Sequence, residues 1–223
     1  MPAPSSPAAK PGRPARLARA EIVALARRIL REEGVHALSM RRLAKDLGAT
    51  PMALYHHVRD KNELLFAVLE EETAGLRRPE LPADPAARLV EVACILRGVL
   101  GDMPWVVDVL TRGDAFGMNA LWMSDETLAA AISAGMSDVD AVAAYRSIWR
   151  FTIGDLACAT DDPVQAGRTS MREVLSERLT GEAGQRFPTL ARLSGQWPES
   201  SASYDFRAGV SALVDGLLRR YTS

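Results

Sequence analysis

Within twelve residues the chain places Thr50, Pro51, Met52, Ala53, Tyr55, His56, His57 and Lys61. A phenol and an imidazole N–H donate hydrogen bonds to phosphate oxygens, and an ammonium pairs with their charge. Proline, methionine and alanine offer the apolar contact that a thymine methyl takes in a major groove. Arg41, on the preceding element, can reach the same polyanion at a base or a phosphate. A tyrosine beside two histidines can equally pad a polar surface or close a small core, so the elements carrying these side chains decide what they do.

The apolar periodicity predicts four helices over the first seventy residues. Ile22, Leu25, Ala26, Ile29 and Leu30 share one face of a first helix over about residues 17–33, which Gly34 stops. Ser39 caps a second, barely two turns long, whose Met40, Leu43, Ala44 and Leu47 form a stripe before Gly48. Thr50 and Pro51 suit the N-cap and first position of a third helix running to about His57, because proline's fixed φ fits there and its missing N–H is not needed. Asp60 and Glu63 resemble a capping box at the head of a fourth helix carrying Leu64, Leu65, Val68 and Leu69. Ala44, Gly48 and Leu54 stand at helix-turn-helix offsets: a small residue where two short helices cross, a glycine tolerant of positive φ, and an aliphatic anchor. With Leu54 and Val58 turned inward, Thr50, Pro51, Met52, Ala53, Tyr55, His56 and His57 make up much of the outer surface of the third helix. In this motif the N-terminal half of that helix reaches base edges.

Charge points the same way. Residues 1–60 hold eleven basic and five acidic side chains, a net +6 against −7 for the remainder, although the whole chain sums to −1. A basic head on an acidic body suits a polyanion-facing end. Lys10, Arg13, Arg16 and Arg19 extend it as a tail that either tracks phosphates or stays a disordered solubilising segment. A composition of 48% hydrophobic and 25% charged residues is that of a globular protein, with no apolar run long enough to cross a bilayer. The opening MPAPSSPAAKPGRPAR lacks the apolar block of a secretory signal, so a cytoplasmic location and no membrane partner are expected.

Several chemistries lack their residues. Cys94 and Cys158 do not have the spacing of a zinc or redox motif and are expected as buried free thiols. His36, His56 and His57 all lie in the first quarter, so a histidine-based metal site elsewhere has no ligands, and no metal or other cofactor is expected. There is no G-x-S-x-G elbow, phosphate-cradling glycine loop or plausible cysteine–histidine pair, and the adjacent Asp161 and Asp162 suit a solvated helix end. The chain is not expected to be an enzyme.

The prolines of RRPELPADPAAR mark a break near 78–85. Beyond it the pattern predicts helices over 86–100, 104–112, 116–134, 138–160, 169–181 and 203–221, with GEAGQRFPTLARLSGQWPES as a long connection. From 203 onward, Phe206, Val210, Leu213, Val214, Leu217, Leu218 and Tyr221 form a stripe that something must cover. Segment 138–160 is apolar around most of its circumference, and Gly154 permits close backbone approach. Trp149, Ile153, Gly154 and Leu156, with Val210, Leu213, Val214 and Leu217, are candidates for a four-helix dimer interface, unless both stripes are satisfied within one chain. Trp105, Phe116, Met118, Trp122, Met123, Tyr145 and Trp149 concentrate rings and thioethers, which line ligand pockets and equally fill cores.

The segment IVALARRILREEGVHALSMRRLAKDLGATPMALYHHVRDKNELLFAVL resembles the N-terminal domain of TetR-family transcriptional regulators, most recognisably in LYHHVRDKNELL. The likeness covers about residues 20–70. It implies an all-α fold: an N-terminal three-helix helix-turn-helix domain joined by a long helix to a helical-bundle ligand-binding and dimerisation domain. On this chain that means a flexible tail over 1–16, a DNA-binding domain over 17–62 and a ligand-binding, dimerising domain over 63–223. The family's DNA-contacting positions fall on Arg41, Thr50, Pro51, Met52, Ala53, Tyr55, His56, His57 and Lys61. A ligand pocket is expected among Trp105, Phe116, Met118, Trp122, Tyr145 and Trp149. The expected function is a homodimeric repressor, released from a palindromic double-stranded operator by a small-molecule effector, with recognition helices about 34–36 Å apart. Metal-assisted binding, as in tetracycline-responsive members, lacks histidine ligands here, so tetracycline is not the expected effector. The rivals are a helical ligand-binding dimer without operator specificity and an enzyme.

Overall fold

Every regular element is a helix in the computed structural model, which describes residues 18–110, 117–160, 178–196 and 203–222. The chain divides into two units, Met1–Val68 and Leu69–Ser223, with the division falling inside one helix.

Unit 1 holds α1 (Arg19–Glu33), α2 (Met40–Asp46), α3 (Pro51–Tyr55) and the first turns of α4 (Lys61–Thr73). Ala18 cannot cap α1 with its methyl, so Glu21 reaches back to accept the Ala18 N–H at 3.0 Å. Gly34 ends α1 at φ +81°. Ser39 Oγ accepts the Arg42 N–H at 3.2 Å and starts α2. Gly48, at φ +62°, turns the chain between α2 and α3; a Cβ there would meet open space, so backbone conformation and not crowding calls for glycine. The expected capping box before α4 is half formed. Glu63 N–H donates to Asp60 Oδ1 at 2.8 Å, but the Glu63 carboxylate reaches one residue further back, to the Arg59 N–H at 2.7 Å. Ile22, Ala26, Leu43, Leu54, Leu64 and Val68 are wholly buried in the unit. Removing one such leucine side chain from water contributes about 1.5–3 kcal/mol.

Unit 2 contains α5 (Pro85–Gly101), α6 (Pro104–Leu110), a 3₁₀ turn (Met118–Ala120), α7 (Leu121–Ser133), α8 (Asp138–Thr160), α9 (Gly181–Arg186), α10 (Pro188–Leu193) and α11 (Phe206–Tyr221). Asp84 caps α5, its Oδ2 accepting the Ala87 N–H at 2.8 Å, and Pro85 takes the first helical position. α5 packs against α7, α8 and α11 around a core that includes Leu89, Ala93, Ala130, Ile148, Val210 and Val214. An Arg97–Asp155 ion pair at 2.5 Å ties α5 to α8, and the same guanidinium lies over the Phe206 ring at 5.1 Å. Glu126 on α7 is buried between Arg78 and Arg88, bonded to the first and 3.7 Å from the second.

Two expectations fail here. The connection expected over residues 181–200 contains α9 and α10, the latter started by Pro188. Each is six residues long, too short for a helical period to stand out from a loop. Cys158 is exposed instead of buried, one turn beyond the exposed Gly154 on α8, while Cys94 is half-buried and burial raises its thiol pKa. The helix expected over 169–181 and the Asp161–Asp162 pair lie wholly or largely outside the described residues, as does most of the basic tail.

Candidate functional site

α3 is held by its ends and by one anchor. The Thr50 hydroxyl oxygen accepts the Ala53 N–H at 3.2 Å, and Pro51 occupies the first position. The helix stops at Tyr55, two residues earlier than expected, because the His57 N–H closes onto the Leu54 carbonyl at 2.8 Å in a tight three-residue step. Leu54 and Val58 are buried, which turns the rest outward. Met52 is 68% and Tyr55 47% exposed; Thr50, Pro51 and His56 are also exposed, and Ala53 and His57 are half-buried. The five-residue helix and the two residues that cap it thus present a hydroxyl, a thioether, a phenol and an imidazole at the surface of unit 1.

The cations around it divide into spent and unspent. Arg42 donates to both Glu33 carboxylate oxygens, at 2.8 and 2.6 Å, and to Asp46 at 3.4 Å. Its hydrogen bonds hold the Glu33 carboxyl below the usual carboxylate range. Arg41 and Lys45, four apart and both exposed, line an open groove with Ser39. Lys45 is a residue the sequence reading missed, although its i, i+4 spacing from Arg41 carries the signal. Lys61, expected beside the duplex backbone, has its ammonium donating to the Val35 and Leu38 carbonyls at 3.0 and 2.8 Å, which ties down the α1–α2 connection.

Unit 2 encloses a second feature, a cavity of about 570 Å³ counting its open mouth. Its walls come from the end of α4 (Leu69, Thr73), from α5 and α6, from α7 (Met123, Ser124, Thr127) and from α8 (Tyr145, Trp149). The turn at Gly117 approaches α4 so closely that a Cβ would lie 3.3 Å from Leu69 Cγ. Glu70 fastens that turn, accepting the Met118 N–H and, at 3.1 Å, the Asn119 side-chain amide. Of the residues expected to form a pocket, Tyr145 and Trp149 line this cavity. Trp105 and Trp122 do not: Trp105 is core and Trp122 half-buried, each with an indole N–H lacking a partner in the described residues. Met118 is 72% exposed, and Phe116 lies outside the described residues. Rings alone gave no way to tell wall from core, because that depends on which helices meet.

The expected dimer stripe divides in the same way. Val210 and Val214 are wholly buried in unit 2's own core, and Leu217, Ile153 and Leu156 are also buried. A second subunit cannot cover what is already covered. Leu213 is half-buried, Trp149 faces the cavity, and Gly154 is exposed. The faces left open are Val142, Arg146, Arg150 and Gly154 on α8, and Ala208, Ala212, Asp215 and Arg219 on α11.

An anchored, outward-facing second helix in a helix-turn-helix, in a chain that also carries a helical bundle around a cavity, defines a DNA-binding regulator. The model of the tetR family of bacterial regulatory proteins matches residues 22–68, and that of the tetracyclin repressor-like C-terminal domain matches residues 78–221. The chain belongs to the TetR family of transcriptional regulators. An HTH-type transcriptional regulator of Saccharopolyspora erythraea is 30% identical over 201 residues, which cover 88% of this chain and 83% of that protein. The crystal structure of the TetR family protein ActR of Streptomyces coelicolor in complex with actinorhodin superimposes with a TM-score of 0.74 at 27% identity, over 93% of this chain and 98% of that one. That of BioQ with its double-stranded DNA operator gives a TM-score of 0.56 at 28% identity, over 68% and 93%. No helix among the described residues is long and apolar enough to cross a membrane.

Proposed function

We propose that this regulator is a homodimeric repressor that lays α3 of each subunit into successive major grooves of a palindromic operator and leaves it when a small molecule fills the unit 2 cavity. The observation that carries this is the exposure of Pro51, Met52, Tyr55 and His56 on a helix fixed by the Thr50 cap and the Leu54 anchor. Thr50, Tyr55, His56 and His57 contact phosphates or base edges; Pro51, Met52 and Ala53 give apolar contact to bases. Arg41 and Lys45 pair with phosphates from α2. The operator complex of BioQ and the ligand complex of ActR support the two binding activities by likeness. No catalytic step is assigned to any residue.

The dimer forms through the open faces of α8 and α11. Gly154, Ala208 and Ala212 let helices approach closely, and Arg146 and Arg150 offer partners for Asp215 across the interface. An effector releases the operator only by as much as it prefers the non-matching dimer over the matching one. The test is selection of bound sequences from random duplexes, then footprinting with a salt titration. A single protected palindrome is expected, with log affinity falling by about 0.9 per phosphate contact for each unit of log salt. Equal weak binding to every duplex would defeat the proposal.

A further inference from the structure

Four hydroxyl-bearing side chains line the unit 2 cavity: Thr73, Ser124, Thr127 and Tyr145. The Thr73 hydroxyl donates to the Leu69 carbonyl at 2.7 Å and the Thr127 hydroxyl to the Met123 carbonyl at 2.7 Å, each one turn back on its own helix. Their hydrogens are spent, so toward the cavity they act only as acceptors. Ser124 Oγ and Tyr145 OH lie 3.2 Å apart and share one hydrogen. Whichever donates, the pair has two O–H hydrogens, and one remains for a third atom. The other described lining residues are aliphatic side chains, Met103, Met123, Gly117 and Trp149, with no carboxylate, ammonium, guanidinium or imidazole among them. Tyr145 and Trp149 stand with ring centroids 6.4 Å apart and planes 26° from parallel, two rings on successive turns of α8.

From this inventory we infer that the effector is an uncharged, flat ring compound bearing a carbonyl-type acceptor, which takes the spare O–H of the Ser124–Tyr145 pair while its ring lies against Tyr145 and Trp149. The inference rests on the ligand-responsive function proposed above and names the chemistry of its ligand. A ring brings apolar area and stacking to an apolar wall. An ionised group on it finds no counter-charge among the described lining, and an unpaired charge moved out of water costs more than the ring's burial returns. Without an acceptor on the ligand, the spare hydrogen of the pair is left unsatisfied once the ring has displaced water from it.

Three matched probes test this on the full-length protein without DNA, by calorimetry and by quenching of tryptophan fluorescence: 9-fluorenone, fluorene, which has the same shape without the carbonyl, and 9-fluorenone-2-carboxylate. Fluorenone is expected to bind roughly tenfold more tightly than fluorene, the scale of one hydrogen bond whose donor would otherwise go unpaired. The carboxylate is expected to bind at least about 100-fold more weakly than fluorenone. In the Ser124→Ala, Tyr145→Phe double variant the two neutral probes should bind alike, and continued fluorene binding there shows that the cavity is intact. The inference is overturned if the carboxylate matches fluorenone, if the ketone preference is missing from the wild type or survives in the double variant, or if none of the three binds. A ligand-free footprint separates the two levels, since a chain that takes neutral ketones but protects no operator would defeat the repressor and leave the ligand class standing.

Discussion

α3 and α11 each bury an apolar face in their own unit, yet they expose opposite kinds of surface. The five residues of α3 bury Leu54 and expose proline, methionine and tyrosine; the sixteen of α11 bury Phe206, Val210, Val214 and Leu217 and expose two alanines, an aspartate and arginines. Hydrogen-bonding rings on a short capped helix suit a groove floored with base edges. Small side chains suit another helix, because backbones approach closely only where little projects from Cα. An apolar stripe thus identifies what the chain covers for itself, while the residues beside the stripe identify the partner.

The largest effect expected is on the anchor that makes α3 face outward. Leu54→Ala should cost about 2–5 kcal/mol of unfolding free energy in chemical denaturation, because the side chain is wholly buried, and operator binding should fall with it. A cost below about 0.5 kcal/mol, the range of a surface change, would break the comparison at α3. On the other helix, Ala212→Arg places a long cation where close packing is proposed. It should yield a monomer by sedimentation with unchanged helical content, and operator binding should drop sharply because a single half-site remains. A variant that stays dimeric would move the interface off α11.

What the sequence made legible follows the same division. The Thr50 cap, Pro51, the Gly48 turn and the Leu54 anchor depend on neighbours within a few residues, and each is found in place. Tyr145 and Trp149 were legible as pocket residues, but the hydroxyl pair of the cavity was not, because Ser124 and Tyr145 sit 21 positions apart and meet only once α7 packs on α8. The Lys61 tether was not legible for a similar reason: its carbonyl partners lie 26 and 23 residues away, in the α1–α2 connection. Val210 and Val214 have the right period but the wrong partner, since periodicity gives a face and says nothing about what lies against it.

Of intermediate size is the contrast between adjacent arginines. Arg41→Ala should leave stability within about 0.5 kcal/mol of wild type and lower the salt slope of operator binding by about one phosphate contact's worth, roughly 0.9. Arg42→Ala should leave the salt slope alone and lower stability, since its guanidinium is committed to Glu33 and Asp46. Tyr55→Ala should weaken operator binding by up to about tenfold, the scale of one hydrogen bond, with dimer and fold intact. Loss of folding in that variant would put the ring in the core and erase the distinction between α3 and α11.

The smallest effect concerns how unit 1 keeps α3 in place as pH falls. The Glu33 carboxyl is held below its ordinary value of 4.5 by hydrogen bonds from Arg42, and Glu63 likewise, first by the Arg59 backbone N–H. With the folded pKa lowered, the unfolded chain binds more protons in acid. The stabilisation is therefore complete above the ordinary carboxylate value and drains away as pH drops below it and through the folded value. Both carboxylates stand at solvent, so the effect is small. In melting curves taken from neutral pH down to about pH 3, Arg42→Ala should flatten the acid limb without abolishing it, because the Glu63 contribution remains. Arg41→Ala, with no such pair to lose, should follow the wild-type curve. If the two variants trace the same acid limb, the division between a cation spent on the scaffold and one left for phosphate does not hold, and α2 contributes to the duplex differently from the way proposed.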